Sequence, residues 1–142
     1  MQKEYETQIL LHTIGQKYQY YLLPKEGSIS LHQFHALKFL EQKKSCTPSE
    51  IAKQFNITLG AVTGFVDRLY KQNLITRERS EQDRRLVVIE LSEEGKNQLG
   101  NFEKKLFEVH QQIKEKLGEK EIELLNQHLA RYQQVLLEII ED

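Results

Sequence analysis

The hydrophobic period of this chain changes twice, and the two changes bracket a block that suits a β-ribbon better than a helix. Up to Asn73 the apolar residues recur at helical spacing; from Leu74 to Leu91 they alternate or run β-branched; from Ser92 onward they return to helical spacing. A period of 2 puts alternate side chains on opposite faces of a strand, whereas helical stripes need 3.6. Leu74-Ile75-Thr76-Arg77-Glu78-Arg79 therefore reads as one strand, and Leu86-Val87-Val88-Ile89-Glu90-Leu91 as its antiparallel partner. The six residues between them, Ser80 to Arg85, contain nothing that forms a core. The expected class is mainly α with a small β-wing.

Helix boundaries are marked by short-range signals. A first helix is expected over about 5–23, with Tyr5, Ile9, His12, Gln16 and Tyr20 on one face beside Leu10, Leu11 and Ile14; Pro24, Gly27 and Ser28 end it. Ser30 with Gln33 has the form of a capping box and starts a second helix with Leu31, Phe34, Leu37 and Leu40 inward. Thr47-Pro48-Ser49-Glu50 starts a third: Thr47 caps, Pro48 suits the first position, and Glu50 reaches back to the cap amide. Ile51, Ala52 and Phe55 face inward and Asn56 breaks it. Thr58 caps a fourth, with Leu59, Val62, Val66 and Leu69 on its core side, and Asn73 suits a left-handed C-terminal position.

The last fifty residues carry two further stripes, Leu99, Phe102, Leu106, Val109 and Ile113, then Ile122, Leu125, Leu129, Tyr132, Leu136 and Ile139, separated by Gly118. Spacings of 3 and 4 pack helix against helix. Each buried Leu or Ile is worth about 1.5–3 kcal/mol, so exposed stripes are unstable and two arrangements remain open. One is a homodimer sealed by Ile9, Ile122, Leu125, Leu129, Tyr132 and Leu136; the other is an intrachain hairpin of the last two helices.

Two short helices, a tight turn between them and a ribbon with a polar tip make a winged helix-turn-helix pattern. A helix fits the major groove of duplex DNA, and a ribbon tip reaches the adjacent minor groove. The outward face of the fourth helix offers Thr58, Gly60, Ala61, Thr63, Gly64, Asp67, Arg68 and Lys71. Gly60 and Gly64 each cost about 1 kcal/mol relative to Ala in a helix; close approach to DNA or a tight helix–helix contact would each account for them. At the tip, Asp83, Arg84 and Arg85 suit a narrow minor groove, with Asp83 holding an arginine by a charge-assisted hydrogen bond. Arg77 lies on the first strand. A net charge of −1 does not favour nucleic acid, but the acidic excess is confined to residues 92–142, with seven Lys/Arg against eleven Asp/Glu.

The run TPSEIAKQFNITLGAVTGFVDRLYKQNLITRERSEQDRRLVVIELSEEG, Thr47 to Gly95, resembles the core of the MarR family of bacterial regulators. The matching pieces are ITLGAVTGFVDRL, NLITR and DRRLVVIELS, and the flanking helices are similar too. The resemblance implies helices at 1–29 and 92–142 that form a dimerisation domain around a winged domain at 30–91. It implies a cytoplasmic bacterial or archaeal homodimer on a pseudo-palindromic operator, usually as a repressor, with major-groove contacts from the fourth helix and minor-groove insertion of Arg85. Members often carry a basic residue where Gly64 stands, which leaves operator sequence and affinity open. Asn73 replaces the usual Gly.

The resemblance further implies a small-molecule effector bound between the dimer helices and the winged domain, near His12, Gln16, Tyr20, His35 and Phe39. The tyrosines there suit an aromatic ligand or simple core packing. Cys46, the one cysteine, lies at the start of the helix-turn-helix, unlike the first-helix cysteine of oxidant-sensing relatives; it allows no internal disulfide. His32, His35 and His110 lack a second cysteine or a clear ligand cluster, so no metal is expected, and no cofactor. No glycine-rich phosphate loop, H-E-x-x-H or nucleophile elbow is present, and no enzyme is expected. No apolar run reaches the ~20 residues of a membrane span, and the N-terminus does not read as a secretory signal. A competing function is a helical dimeric adaptor whose winged domain binds protein instead of DNA.

Overall fold

The computed structural model describes residues 2–141. A 3-10 turn at Gln2–Tyr5 leads into α1 (Glu6–Tyr21). No residue of α1 is buried, and the chain enters its core at Leu22 and Ile29. Gly27, at φ 79°, turns the connection in a conformation that disfavours other residues.

α2 (Leu31–Lys43) starts at the expected capping box: the Gln33 amide donates to Ser30 Oγ at 3.2 Å and the Ser30 amide to Gln33 Oε1 at 3.0 Å. α3 (Pro48–Phe55) starts the same way, with Thr47 and Glu50 exchanging bonds and Pro48 at the first position. Asn56 closes it in the left-handed region at φ 50°. Thr58 caps α4 (Leu59–Lys71) through the Ala61 amide. Asn73 follows at φ 59°, a conformation that Asn tolerates. Val62, Val66 and Leu69 are buried as expected, but Leu59 is 54% exposed. Leu59 opens the helix beyond the edge of the layer that covers the other three.

The ribbon is β2 (Ile75–Arg79) and β3 (Val87–Leu91), antiparallel, with Arg77 opposite Ile89. A third strand was not foreseen: β1 (Ser45–Cys46) pairs with the other edge of β3, Cys46 opposite Ile89, giving the order β1-β3-β2. Ile89 is thus the fully buried centre of the sheet.

α5 (Glu93–Leu117) is tied to the winged layer through its first turns. Ser92 Oγ accepts from the Gly95 amide at 2.9 Å and donates to the Asn73 carbonyl. A β-carbon at Gly95 would lie 2.0 Å from the Leu74 carbonyl oxygen, so this position excludes every side chain. Phe102 stacks on Phe34 with centroids 4.7 Å apart, and Lys38 of α2 pairs with Glu103. Gly118, at φ 93°, separates α5 from α6 (Glu119–Glu141).

The chain divides into two compact units, Met1–Glu103 and Lys104–Asp142, with the boundary inside α5. This differs in extent from the expected grouping of 1–29 with 92–142, because the start of α5 is packed into the winged layer through Gly95, Leu99 and Phe102. In the second unit most of the expected stripe is exposed, including Leu125, Leu129, Tyr132 and Leu136. Ile122 is the exception at 8% exposure, which leaves little of it for a partner. Among the described residues no helix is long and apolar enough to cross a membrane.

Candidate nucleic-acid interface

Burying Val62, Val66 and Leu69 fixes which side of α4 is left outward: 3.6 residues per turn puts Gly60, Gly64, Asp67 and Lys71 opposite them. Thr58, Gly60, Ala61, Thr63, Arg68 and Lys71 are exposed, and Gly64 is half-buried. The two glycines decide between the two explanations of their presence. A β-carbon at Gly60 would meet nothing within 4 Å, and one at Gly64 would meet only Arg68 Nη1 at 3.7 Å. Among the described residues no neighbouring helix needs them bare, so the tight helix–helix contact finds no support within the single chain. What remains is a helix whose backbone is open to a close external approach. Thr63 spends its hydroxyl on the Leu59 carbonyl at 3.0 Å. The Arg68 guanidinium lies 5.8 Å from the Phe65 ring centroid.

At the ribbon tip, Asp83 takes the role expected of it. Its Oδ1 accepts from the Arg85 amide and Nε, both at 3.1 Å, and its Oδ2 from Nη2 at 3.2 Å. The Arg85 guanidinium, followed by its backbone amide, holds the Asp83 carboxyl below its ordinary value of 3.8. The carboxylate is therefore charged at neutral pH and keeps the fork in place. The Arg85 side chain is nonetheless 90% exposed, so its outer face is free. Arg79 braces the tip by donating to the Arg84 carbonyl at 2.8 Å, and Ser80 Oγ accepts from the Asp83 amide. Among the described residues the Arg84 side chain enters no ion pair.

Arg77 stands differently. It pairs with Asp67 of α4 and lies over the Tyr70 ring, 4.1 Å from its centroid. The sequence named Arg77 and Asp67 separately and missed their pairing; opposite charges on adjacent elements were the available signal. Tyr70 was missed altogether.

The residues expected near an effector come from two helices, α1 and α2. His12, Gln16 and Tyr20 project from the exposed α1, whereas Phe39 packs edge-on against Phe55 of α3 at 5.8 Å. His35 lies below its ordinary 6.5 because of burial and then the neighbouring His32, which itself contacts Gln19 at 3.2 Å. An apolar cavity of about 350 Å³ lies elsewhere, between α2, α3 and α4, lined by Ala36, Ile51, Phe55, Ile57 and Phe65 with His32 and Arg68 at its polar end.

Cys46 is buried in β1, and burial, followed by the Glu50 carboxylate, pushes its thiol up to about 11. At neutral pH it is a protonated thiol, a poor nucleophile. Among the described residues no group of three metal-ligating side chains converges.

Residues 29–87, the second helix through the ribbon, match the MarR family. The chain is 36% identical over 77 residues to the organic hydroperoxide resistance transcriptional regulator of Bacillus subtilis, covering 54% of this chain and 52% of that protein. It is 34% identical over 93 residues to the transcriptional repressor MdtR of the same bacterium, covering 63% and 59%. The chain spans about half the length of the curated relatives it matches. Among solved structures, FabT of Streptococcus pneumoniae in complex with DNA superposes with a TM-score of 0.75 at 26% identity, over 96% of each chain. Residues 29–87 of this chain thus resemble the MarR family in sequence, and its backbone superposes on that of the DNA-bound FabT.

Proposed function

We propose that the chain is a sequence-specific regulator of transcription that binds double-stranded DNA as a homodimer on a pseudo-palindromic operator, acting as a ligand-responsive repressor in the cytoplasm. The observation that carries this is the pairing of an open α4 face with a tip arginine already oriented. Gly60 and Gly64 leave the α4 backbone bare toward solvent, and Asp83 holds Arg85 from behind while its outer face stays free. A bare helix of this width enters a major groove. A fixed arginine suits the narrowed minor groove, where negative potential is enhanced. Thr58, Gly60, Ala61, Thr63, Gly64, Arg68 and Lys71 form the groove-facing set, with Asp83, Arg84 and Arg85 at the tip.

Two copies would cover the apolar residues that α1 and α6 each leave exposed among the described residues. Ile9, Leu125, Leu129, Tyr132 and Leu136 are all exposed, and burying them across a two-fold axis spaces two α4 helices by about one turn of duplex. Repression follows the repressor MdtR among the similar proteins, and duplex binding the DNA-bound FabT. A small aromatic effector acting on the dimer is the expected input. Nothing favours the adaptor: an α4 face of Gly, Thr, Arg and Lys offers little apolar area to a protein partner.

Titration of duplexes selected from a random pool, at several salt concentrations, tests the reading. The affinity is expected to fall with a log–log slope of about −0.9 per phosphate neutralised, and Arg85→Ala to cost about 1–3 kcal/mol. A flat salt response would refute DNA binding, and unchanged affinity in the variant would remove the tip from the contact set.

A further inference from the structure

Arg77 reads in sequence as one more DNA-facing cation, yet its side chain is already engaged twice by α4. Its guanidinium pairs with the Asp67 carboxylate and stacks on the Tyr70 ring at 4.1 Å. Asp67 and Tyr70 sit three residues apart on one helix, so they offer a charged stop and a flat wall to the same planar group. At the other end Arg77 belongs to β2, and its register opposite Ile89 fixes it to the buried centre of the sheet. One side chain therefore spans from the centre of the ribbon to the last turns of the helix that faces the groove.

We infer that Arg77 is a positioning residue: with Asp67 and Tyr70 it sets the angle between α4 and the ribbon, and so the distance along the duplex between the bases met by the helix and those met by the tip. This rests on the DNA-binding reading above and deepens it. Both partners are about a third to a half exposed, at 34% and 45%, and pairs of that kind contribute little to global stability. What three interlocking planar and charged groups supply is orientation. The guanidinium has its own plane, its fork geometry and its stacking face all satisfied in one pose, which a lysine would not reproduce. The arrangement also removes two charges from the binding surface: Asp67 would repel phosphates from the middle of the α4 face, and its pairing with Arg77 neutralises it.

The two roles open to Arg77 predict opposite signs. If Arg77 contacts phosphate, Asp67→Asn frees the cation and deletes a repulsive charge, so binding tightens. If Arg77 positions the ribbon, Asp67→Asn loosens the angle. The test uses the full-length protein and duplexes selected from a random pool. Bases protected by α4 and by the tip are mapped by footprinting, and one base pair, about 3.4 Å of axis, is then inserted between the two segments of each half-site. The wild-type chain is expected to bind the lengthened duplex about tenfold or more weakly, as for a mismatched site. Asp67→Asn is expected to bind the original duplex more weakly, to discriminate between the two lengths less than about threefold, and to keep its salt slope; Asp67→Glu, which retains the carboxylate, keeps the discrimination. Urea midpoints close to the wild type for all variants separate this from unfolding. Tighter binding by Asp67→Asn with spacing preference intact would overturn the positioning role while leaving DNA binding in place. A wild-type chain without salt-dependent duplex binding would overturn both.

Discussion

The start of α5 and the length of α6 carry the same 3-and-4 apolar spacing, and the structure gives them opposite fates. Leu99 and Phe102 are 1% and 3% exposed, sealed against the winged layer with Phe102 stacked on Phe34. Leu129 and Leu136 on α6 are 40% and 45% exposed. Periodicity states that a face must be buried but not by what. The α5 turns are covered because Gly95 and Ser92 dock the helix onto the Asn73-Leu74 backbone; among the described residues α6 shows no comparable anchor within its own unit, and its stripe is the face proposed above for a second copy.

Charging the open stripe should separate assembly from folding most sharply. Leu129→Asp is expected to yield folded monomers whose operator affinity falls about 10²–10⁴-fold, the advantage of engaging two half-sites at once. Sedimentation and duplex titration check it, and a monomer with full affinity would break the link between α6 and binding. Cutting the sealed stripe should act on stability instead. Leu99→Ala is expected to cost about 2–5 kcal/mol, seen in the urea midpoint; a cost under about 1 kcal/mol would mean that the two stripes are alike after all.

Two glycines extend the contrast. Gly95→Ala drives a β-carbon against the Leu74 carbonyl and is expected to lose about 1–3 kcal/mol. Gly64→Ala meets only ordinary contact with Arg68 and is expected to gain about 1 kcal/mol of helix stability while weakening duplex binding, because it fills the bare face. Thermal unfolding of both variants, beside titration of the second, decides it; an equal loss from both would mean that α4 is packed and not open.

The smallest effect concerns the buried thiol. Cys46 sits near 11 instead of 9.0 when folded, so native protein at pH 8 should react with iodoacetamide about 100-fold more slowly than unfolded chain. The sign for stability follows. Between about 9 and 11 the folded state holds a proton that the unfolded state has released, so stability falls as pH rises through that window. Fast alkylation of native protein would place Cys46 with the exposed regions of the molecule.

Most of the winged unit was legible before any coordinates because its signals act within one turn of chain. Ser30 with Gln33, Thr47 with Glu50, and Asp83 with Arg85 are three or two residues apart, and the bonds expected between them are the bonds observed. Asn56 and Asn73 take the left-handed conformation that few other residues tolerate. The strand pair followed from its period, with boundaries one residue shorter at the N-terminal end of each strand. β1 was not legible: two residues are too short to show a period, and Cys46 meets Ile89 across a long stretch of chain.

What the sequence determined by itself, then, is the set of local conformations and the side of each helix that must be covered, since backbone caps, turns and apolar spacing are fixed by neighbours a few residues away. What only the tertiary structure decided is which surface does the covering: the sealing of Leu99, the exposure of Leu59, the crowding at Gly95 and the capture of Arg77 by Asp67 and Tyr70. Those outcomes depend on distances between elements far apart in the chain, and such distances are set by how whole layers close-pack, which no short stretch of residues encodes.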